Sequence, residues 1–194
     1  MDTDGIWRCV DEQRAGLAGL LEGLTADQWM APSLCDGWRV RDVAVHLTHS
    51  HMARGRAVLE AVKSGFRFDP MIRRLAIEDP RSQAEIVAAV RGMVGARRKV
   101  PGTSVQQPLI ELLVHGQDIA VPLGIDLPMP SDAAVEAANR LSRMTFPLDA
   151  ARRLQGIRLI ATDADFAAGQ GREITAPISD IVMVLAGRSD PGQP

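Results

Sequence analysis

Two side chains that can bind metal ions lie four residues apart in a stretch that is otherwise mostly aliphatic. Glu111 and His115 fall within residues 107–124. Residues four apart share one face of a helix, and a helix that is apolar almost all round belongs in a core. Burying a carboxylate and an imidazole is costly unless a partner satisfies them. The spacing therefore predicts either a divalent-metal site or a polar pair completed by a neighbouring arginine.

The histidine cluster HLTHSH offers a third ligand. On a helical wheel, His46 lies beside Val43 at the edge of an apolar stripe, with small residues following on the same face. His49 falls on the far side and is expected to face solvent. His51 falls near the centre of the stripe, as a core residue or one that faces substrate. The pattern favours His46 as the partner of the later pair.

A set made of His46, Glu111 and His115 would leave one coordination position open, as catalytic zinc sites do. Zinc is our first choice, although nickel, iron and manganese accept the same nitrogen and oxygen donors. Cys35, in the loop before the histidine cluster, is an alternative ligand or reactive thiol, and packing within the loop is the competing interpretation.

Two carboxylates are placed to orient the ligand imidazoles. Asp118 follows His115 by about one helical turn on the same face, and Asp42 precedes His46 by four residues. Metal-bound histidines usually donate their second ring N–H to such a group. We therefore expect both carboxylates to support the metal site from behind its ligands.

Helical periodicity predicts a mainly α fold in which these residues are brought together by a bundle. The predicted helices are residues 5–23, 40–64, 82–99, 107–124 and 131–145. Residues 65–81 contain two prolines and mixed charges, which predicts a long connection.

The tail changes to a short-period pattern. It predicts a strand at 157–161, a GQG turn, a second strand in REITAP and a final helix. We expect a helical bundle over 1–150 and a small α+β extension, a β-hairpin plus a helix, over 151–194. That extension would pack on the bundle.

Composition narrows the classes of function. A chain of 194 residues with 46% hydrophobic residues can bury a substantial core. A net charge of −2 argues against nucleic acid as the main partner, and two cysteines fit a reducing compartment. The N-terminus lacks a signal-peptide pattern, and no apolar run approaches the length that spans a bilayer. These features predict a soluble cytoplasmic protein that does not enter the membrane.

Two segments resemble signatures of the DinB-like superfamily, in particular its mycothiol-dependent maleylpyruvate isomerase family. They are GWRVRDVAVHL (37–47) and ELLVHGQDIAVPLG (111–124). The tail RLIATDADFAAGQGREITAPISDIVMVLAGR resembles the C-terminal signature of actinobacterial members. The resemblance implies a DinB-like four-helix bundle, and it suggests that the C-terminal region here is shorter than in the full isomerase pattern.

Carried over residue by residue, the metal ligands of that family correspond to His46, Glu111 and His115. The resemblance further implies mycothiol as cosubstrate, a small-molecule substrate and a homodimer. In the family reaction a thiolate adds to the cis double bond of a small diacid, the adduct rotates, and elimination leaves the trans isomer.

The sequence therefore predicts a metal- and thiol-dependent enzyme, either an isomerase or an S-transferase. The alternative is a non-catalytic metal-binding DinB-like protein with a sensing or sequestering role. Arginines would hold substrate carboxylates in bidentate fashion. Arg54, Arg73 and Arg74 are the candidates from their positions, together with His51, and solvated surface residues are the competing interpretation.

Overall fold

The computed structural model describes residues 1–100, 102–145 and 150–191, with the side chains of residues 54 and 151 left out. The helices are α1 (Thr3–Glu22), α2 (Ala26–Met30), α3 (Val40–Thr48), α4 (Arg54–Lys63), α5 (Phe68–Ile77), α6 (Gln83–Arg91), α7 (Gln107–Ala120), α8 (Ser131–Leu141), α9 (Ala150–Arg153) and α10 (Ile178–Leu185). The strands are β1 (Ile157–Ala161), β2 (Ala167–Gly169) and β3 (Arg172–Ala176).

The chain divides into two compact units. One is Val10–Asp126, and the other combines Met1–Cys9 with the chain from Leu127 onward. The sequence placed the division near residue 150, whereas α8 packs against α10 in the C-terminal unit. The mainly α fold with a small β appendage is confirmed, and a domain boundary at 150 stays a prediction.

Helix α3 is the centre of the Val10–Asp126 unit. It packs against α5, α6 and α7, and its apolar side chains are almost fully buried. Those of α3 are Val40, Val43, Ala44, Val45 and Leu47. Because α3 lies directly on α7, a residue near the end of one helix can meet a residue in the middle of the other.

Helix α7 confirms the prediction made for residues 107–124. Its apolar positions are buried all round, as expected for a core helix. Pro108 lies in the first turn, where its missing N–H is not needed. After Ala120 a 3₁₀ turn follows, and Gly124 ends the segment in the left-handed conformation with φ of 65°. The sequence therefore fixes both ends of this helix locally.

The single helix predicted over residues 40–64 is wrong. Helix α3 ends at Thr48, one 3₁₀ turn covers His49–His51, and α4 begins at Arg54. The hydroxyls of Thr48 and Ser50 donate to carbonyls three residues back, at 2.7 and 3.2 Å. Such side-chain bonds compete with helix continuation. A helical wheel drawn through this break assigns wrong directions to the two histidines that follow it.

The long connection predicted over residues 65–81 contains a helix, α5, and that part of the prediction is wrong. Its proline, Pro70, lies in the first turn, where helices tolerate proline. Helix α5 packs against α3. The segment therefore belongs to the body of this unit, because an early proline starts a helix as readily as it interrupts one.

Helix α6 begins at a capping box formed by Ser82 and Glu85 but ends at Arg91, well before the predicted end at residue 99. The chain beyond it is held by Arg14 of α1, whose Nη1 donates to the carbonyls of Met93 and Ala96 at 2.7 and 2.8 Å. Arg14 is only 1% exposed. This buried guanidinium joins the first helix to the turns after α6.

The C-terminal unit contains a three-stranded sheet in the order β2-β1-β3. The predicted strands are present as β1 and β3, but they pair in parallel. The hairpin is formed by β1 and β2 instead. Gly169 has φ of 88°, and a Cβ there would collide with the carbonyl oxygen of Ile157. Strand β2 consists of two alanines and a glycine, so it has no alternation of apolar and polar residues from which the sequence could predict it.

Among the described residues, no helix is both long enough and apolar enough to cross a lipid bilayer. The cytoplasmic location expected from the sequence stays a prediction.

Replacing Arg14 with methionine is expected to lower the free energy of unfolding by about 2–4 kcal/mol, because one buried and one half-buried carbonyl lose a charged donor. Urea unfolding followed by circular dichroism measures the change. Arg8→Met on the same helix is the matched control, because Arg8 is exposed, and should change stability by less than about 0.5 kcal/mol. An equal loss of unfolding free energy in the two variants would contradict the stabilising role given to the buried contacts of Arg14.

Candidate functional site

The imidazoles of His46 and His115 meet where α3 packs on α7. Their ring centroids are 4.9 Å apart, with an angle of 87° between the ring planes. Trp38 lies edge-on to His46, with ring centroids 5.3 Å apart. The structure thus brings two of the three predicted ligands together across a helix–helix contact.

Asp118 lies behind His115, where the sequence predicted it. The carboxylate is fully buried, and its Oδ2 is 2.8 Å from Nδ1 of His115. A neutral imidazole that donates from Nδ1 keeps the lone pair of Nε2 for another partner. Asp118 therefore fixes the tautomer in which Nε2 of His115 can bind a metal ion.

The thiol of Cys35 also contacts the carboxylate of Asp118. Its Sγ lies 3.0 Å from Oδ2 of Asp118 and 3.8 Å from Nδ1 of His115. The backbone N–H of Leu34 donates to the carbonyl of Asp118 at 3.1 Å. The loop before α3 is consequently attached to α7 through both the main chain and the side chain of one residue.

Cys35, His115 and Asp118 form an alternative group of metal-ligand atoms, all within 4.8 Å of one another. Ligand atoms around tetrahedral zinc are separated by about 3.3–3.8 Å, given bond lengths near 2.0–2.3 Å. Here the contacts of Asp118 with His115 and Cys35 are 2.8 and 3.0 Å. Those are hydrogen-bond lengths. The arrangement favours a hydrogen-bonded network over a ligand shell made of these three groups.

Glu111 is the half-buried carboxylate of α7. Burial raises its pKa, and the amide of Gln107, His115 and Arg14 act in the opposite direction. Nε2 of Gln107 donates to Oε1 of Glu111 at 3.2 Å. A neutral amide satisfies a carboxylate only weakly, so a cation at this position would favour the ionised form. Carboxylate and imidazole are ligand types that divalent metal ions accept. Among the described residues, however, the three ligand atoms that lie within 4.8 Å of one another are those of Cys35, His115 and Asp118, so Glu111 stays a predicted ligand.

Asp42 contacts an arginine. Its two oxygens accept from Nε and Nη2 of Arg39 at 3.0 and 2.9 Å, and its side chain also caps the backbone N–H of Arg39. Asp42 occupies the third position of α3, from which its carboxylate reaches the start of the helix. The structure therefore shows an imidazole–carboxylate hydrogen bond for Asp118 and an arginine pair for Asp42.

Two of the predicted substrate arginines hold other parts of the chain. Arg73 donates to the carbonyls of Asp36 and Gly37 at 3.1 and 3.3 Å. Arg74 forms an ion pair with Glu60 at 2.5 Å. Their guanidinium groups are thus engaged with the protein, and a role in substrate binding stays a prediction for each.

The remaining predicted residue of this set, His51, lines a cavity, and Nη2 of Arg14 lies 3.4 Å from its Nε2. Burial and the charges of nearby arginines lower the pKa of His51. The side chain of Arg54 lies outside the part of the chain that the structure describes.

His49 is not on the solvent side, so that expectation is wrong. It is half-buried, its ring centroid lies 5.7 Å from that of His46, and burial lowers its pKa to about 4. Sequence reasoning missed this residue because it assumed an unbroken helix. The flanking Thr48 and Ser50 were the available signal, since hydroxyl side chains often bond to the backbone where a helix ends.

Residues 10–101 match the family model described as the mycothiol maleylpyruvate isomerase N-terminal domain. The match includes His46 and ends before Glu111 and His115. The comparison with curated proteins found no match.

Solved structures with a similar fold include the crystal structure of the mycothiol-dependent maleylpyruvate isomerase, at 12% identity and a TM-score of 0.56. A mutant of it, with a histidine changed to alanine, gives 13% and 0.53. Each covers 97% of this chain and 90% of the other, so the expected shortening of the C-terminal region is not marked in this comparison. The family match and the shared fold together confirm the predicted resemblance of this chain to the mycothiol-dependent maleylpyruvate isomerase family.

Proposed function

We propose that this chain is a divalent-metal-binding, mycothiol-dependent enzyme of the maleylpyruvate isomerase type. The observation that carries the proposal is the approach of His46 and His115 across α3 and α7, with Asp118 bonded to His115. The family match of residues 10–101 supports mycothiol as the thiol and a small diacid as the substrate. A thiol S-transferase would use the same site.

The metal ion would be held by His46, Glu111 and His115, with zinc as the first choice among divalent cations. When bound, it would lower the pKa of a coordinated thiol so that the reactive thiolate exists at neutral pH. The homodimer suggested by the resemblance stays a prediction.

The chain's own residues prepare this site in three ways. Asp118 orients His115 by accepting from Nδ1. Glu111 provides the negative charge that balances a cation in a half-buried place. The packing of α3 against α7 fixes the distance between the two imidazoles before any ligand arrives. Preorganisation of this kind keeps the ligands near their bound positions.

A second candidate is a non-catalytic metal-binding protein, in which Cys35, His115 and Asp118 would move apart from their hydrogen-bonding distances to hold the ion. Thiolate, imidazole and carboxylate together are typical ligands of zinc and other transition metals. A site in which protein ligands fill every coordination position would suit sensing or sequestering. The two candidates predict different metal ligands, so variants of those ligands distinguish them.

Removal of either predicted ligand from α3 or α7 is expected to abolish stoichiometric zinc binding. His46→Ala and Glu111→Ala should retain little zinc after dialysis, because two donors cannot hold the ion tightly. Cys35→Ser should retain one zinc per chain. Mass spectrometry of the metal content measures all three, and His51→Ala serves as the histidine control with full binding.

The opposite result, zinc lost from Cys35→Ser and kept by His46→Ala, would replace the predicted set with the cysteine-containing one.

Replacing Asp118 with asparagine is expected to weaken zinc binding by about 10–100-fold, because the amide no longer fixes the tautomer of His115. A competition titration with a chromogenic chelator measures the affinity. Asp126→Asn, an exposed residue beyond α7, is the matched control and should leave the affinity unchanged. Unchanged affinity in Asp118→Asn would remove the orienting role.

The zinc-loaded protein is expected to convert maleylpyruvate to its trans isomer only when mycothiol is present. Proton magnetic resonance of the alkene hydrogens follows the reaction. His46→Ala should lower kcat/KM by about a hundredfold or more, and Arg67→Met, an exposed substitution elsewhere, should not change it. Full activity without thiol, or after metal removal with a chelator, would contradict the proposed function.

A further inference from the structure

A cavity of about 310 Å³ lies within the Val10–Asp126 unit, beside the break between α3 and α4. Its walls come from the 3₁₀ turn after α3, the start of α4, the segment 79–81 and one side of α6 with the turn after it. That volume is at the lower end of the range for small-molecule sites. It has room for about ten water-sized groups. The cavity can therefore hold a small organic molecule.

Arg81 is fixed on one wall of the cavity. Its Nε and Nη2 donate to the two oxygens of Asp79 at 2.9 and 3.0 Å, and Nη2 also donates to Oγ1 of Thr48 at 2.9 Å. Asp79 is nearly buried, with 7% of its side chain exposed. The pair is neutral as a unit, and it holds a guanidinium rigidly at the edge of the cavity.

Further positive charge comes from residues that the Asp79 carboxylate does not balance. Arg56 lines the cavity and forms no ion pair with any residue that the structure describes. His51 lines it as well, with the guanidinium of Arg14 3.4 Å away. Arg14 is itself paired with Asp11 at 3.5 Å. The lining therefore includes one cationic group, Arg56, that no described carboxylate balances, and this favours an anionic occupant.

His49 also lines the cavity. Its Nδ1 is buried away from the cavity and has no hydrogen-bond partner in the described part of the chain, so it does not contribute to binding an occupant.

The opposite wall is apolar. Met52, Ala89 and Met93 line it, and Met93 is almost fully buried. An inorganic ion would leave these side chains facing empty space or water. An organic anion would place its charged end at the arginines and its hydrocarbon part against the methionines.

We propose that this cavity is a binding site for a small organic carboxylate, held by Arg56 and packed against Met52 and Met93. The site is separate from the predicted metal ligands, although His49 contacts the ring of His46 as well as lining the cavity. It goes beyond the proposed function, because none of the groups that form it depends on a metal ion.

Binding is tested with the metal-free full chain, benzoate as the probe, benzamide as its neutral counterpart and inorganic phosphate as the small anion. Isothermal titration calorimetry should show benzoate binding at least about tenfold more tightly than either of the others, because only benzoate has both a charge and an apolar body. Equal binding of benzamide would overturn the anionic character of the site. Equal or tighter binding of phosphate would overturn the organic one.

Two variants locate the probe. Ala89→Leu fills the cavity and should weaken benzoate binding at least tenfold, whereas Ala88→Leu, exposed on the same helix and outside the cavity, should not. Arg56→Met should weaken it about fivefold, the scale of an exposed charge pair, with rescue by Arg56→Lys and no change in Arg67→Met. Benzoate binding that is indifferent to Ala89→Leu would place the probe elsewhere and overturn the proposal.

Benzoate binding is expected not to depend on the metal centre. His46→Ala, which is expected to lose zinc, should bind benzoate as the parent protein does. A loss of benzoate binding in that variant would overturn the separation of the two sites. Normal zinc binding and isomerisation in a protein that does not bind benzoate would overturn this inference alone and leave the proposed function intact.

Discussion

The fully buried carboxylate of Asp118 is the constraint around which the candidate metal centre is built. A carboxylate removed from water is tolerated only when donors replace its hydration. Here the imidazole of His115 and the thiol of Cys35 lie within hydrogen-bonding distance of a single oxygen, and the backbone of the same residue accepts from Leu34. The position of the loop before α3 and the orientation of His115 on α7 therefore follow from one buried negative charge.

The end of α3 at Thr48 determines what surrounds that centre. While the helix lasts, His46 is directed at α7, where it meets His115. Once it ends, the 3₁₀ turn moves His49 and His51 to the walls of a cavity on a different set of elements. Three histidines within six residues thus serve two places. An unbroken helix would have spread the later two around its cylinder and left the cavity without its pair of imidazoles.

Parts of this arrangement could be predicted from sequence because their causes are local. The all-round apolar character of α7 and the spacing of Glu111 and His115 needed no tertiary information. The failures had other causes. Whether the hydroxyl of Thr48 bonds back to its own helix depends on what packs beyond it. The parallel pairing of β1 with β3 depends on contacts distant in sequence, and the intervening strand β2 has no alternating pattern to announce it. The contact of Cys35 with Asp118 likewise joins residues far apart in the chain.

Helix α5 contributes no candidate ligand, yet it holds the loop that carries Cys35. Arg73 reaches from it to the carbonyls of Asp36 and Gly37. Gly37 has φ of 66°, and the guanidinium occupies the space that a Cβ would fill. The left-handed backbone selects glycine at this position, and a side chain added there would in addition displace the guanidinium of Arg73. A substitution at Gly37 would strain this turn and displace Arg73. A contact from α5 therefore limits how far the loop that carries Cys35 can change.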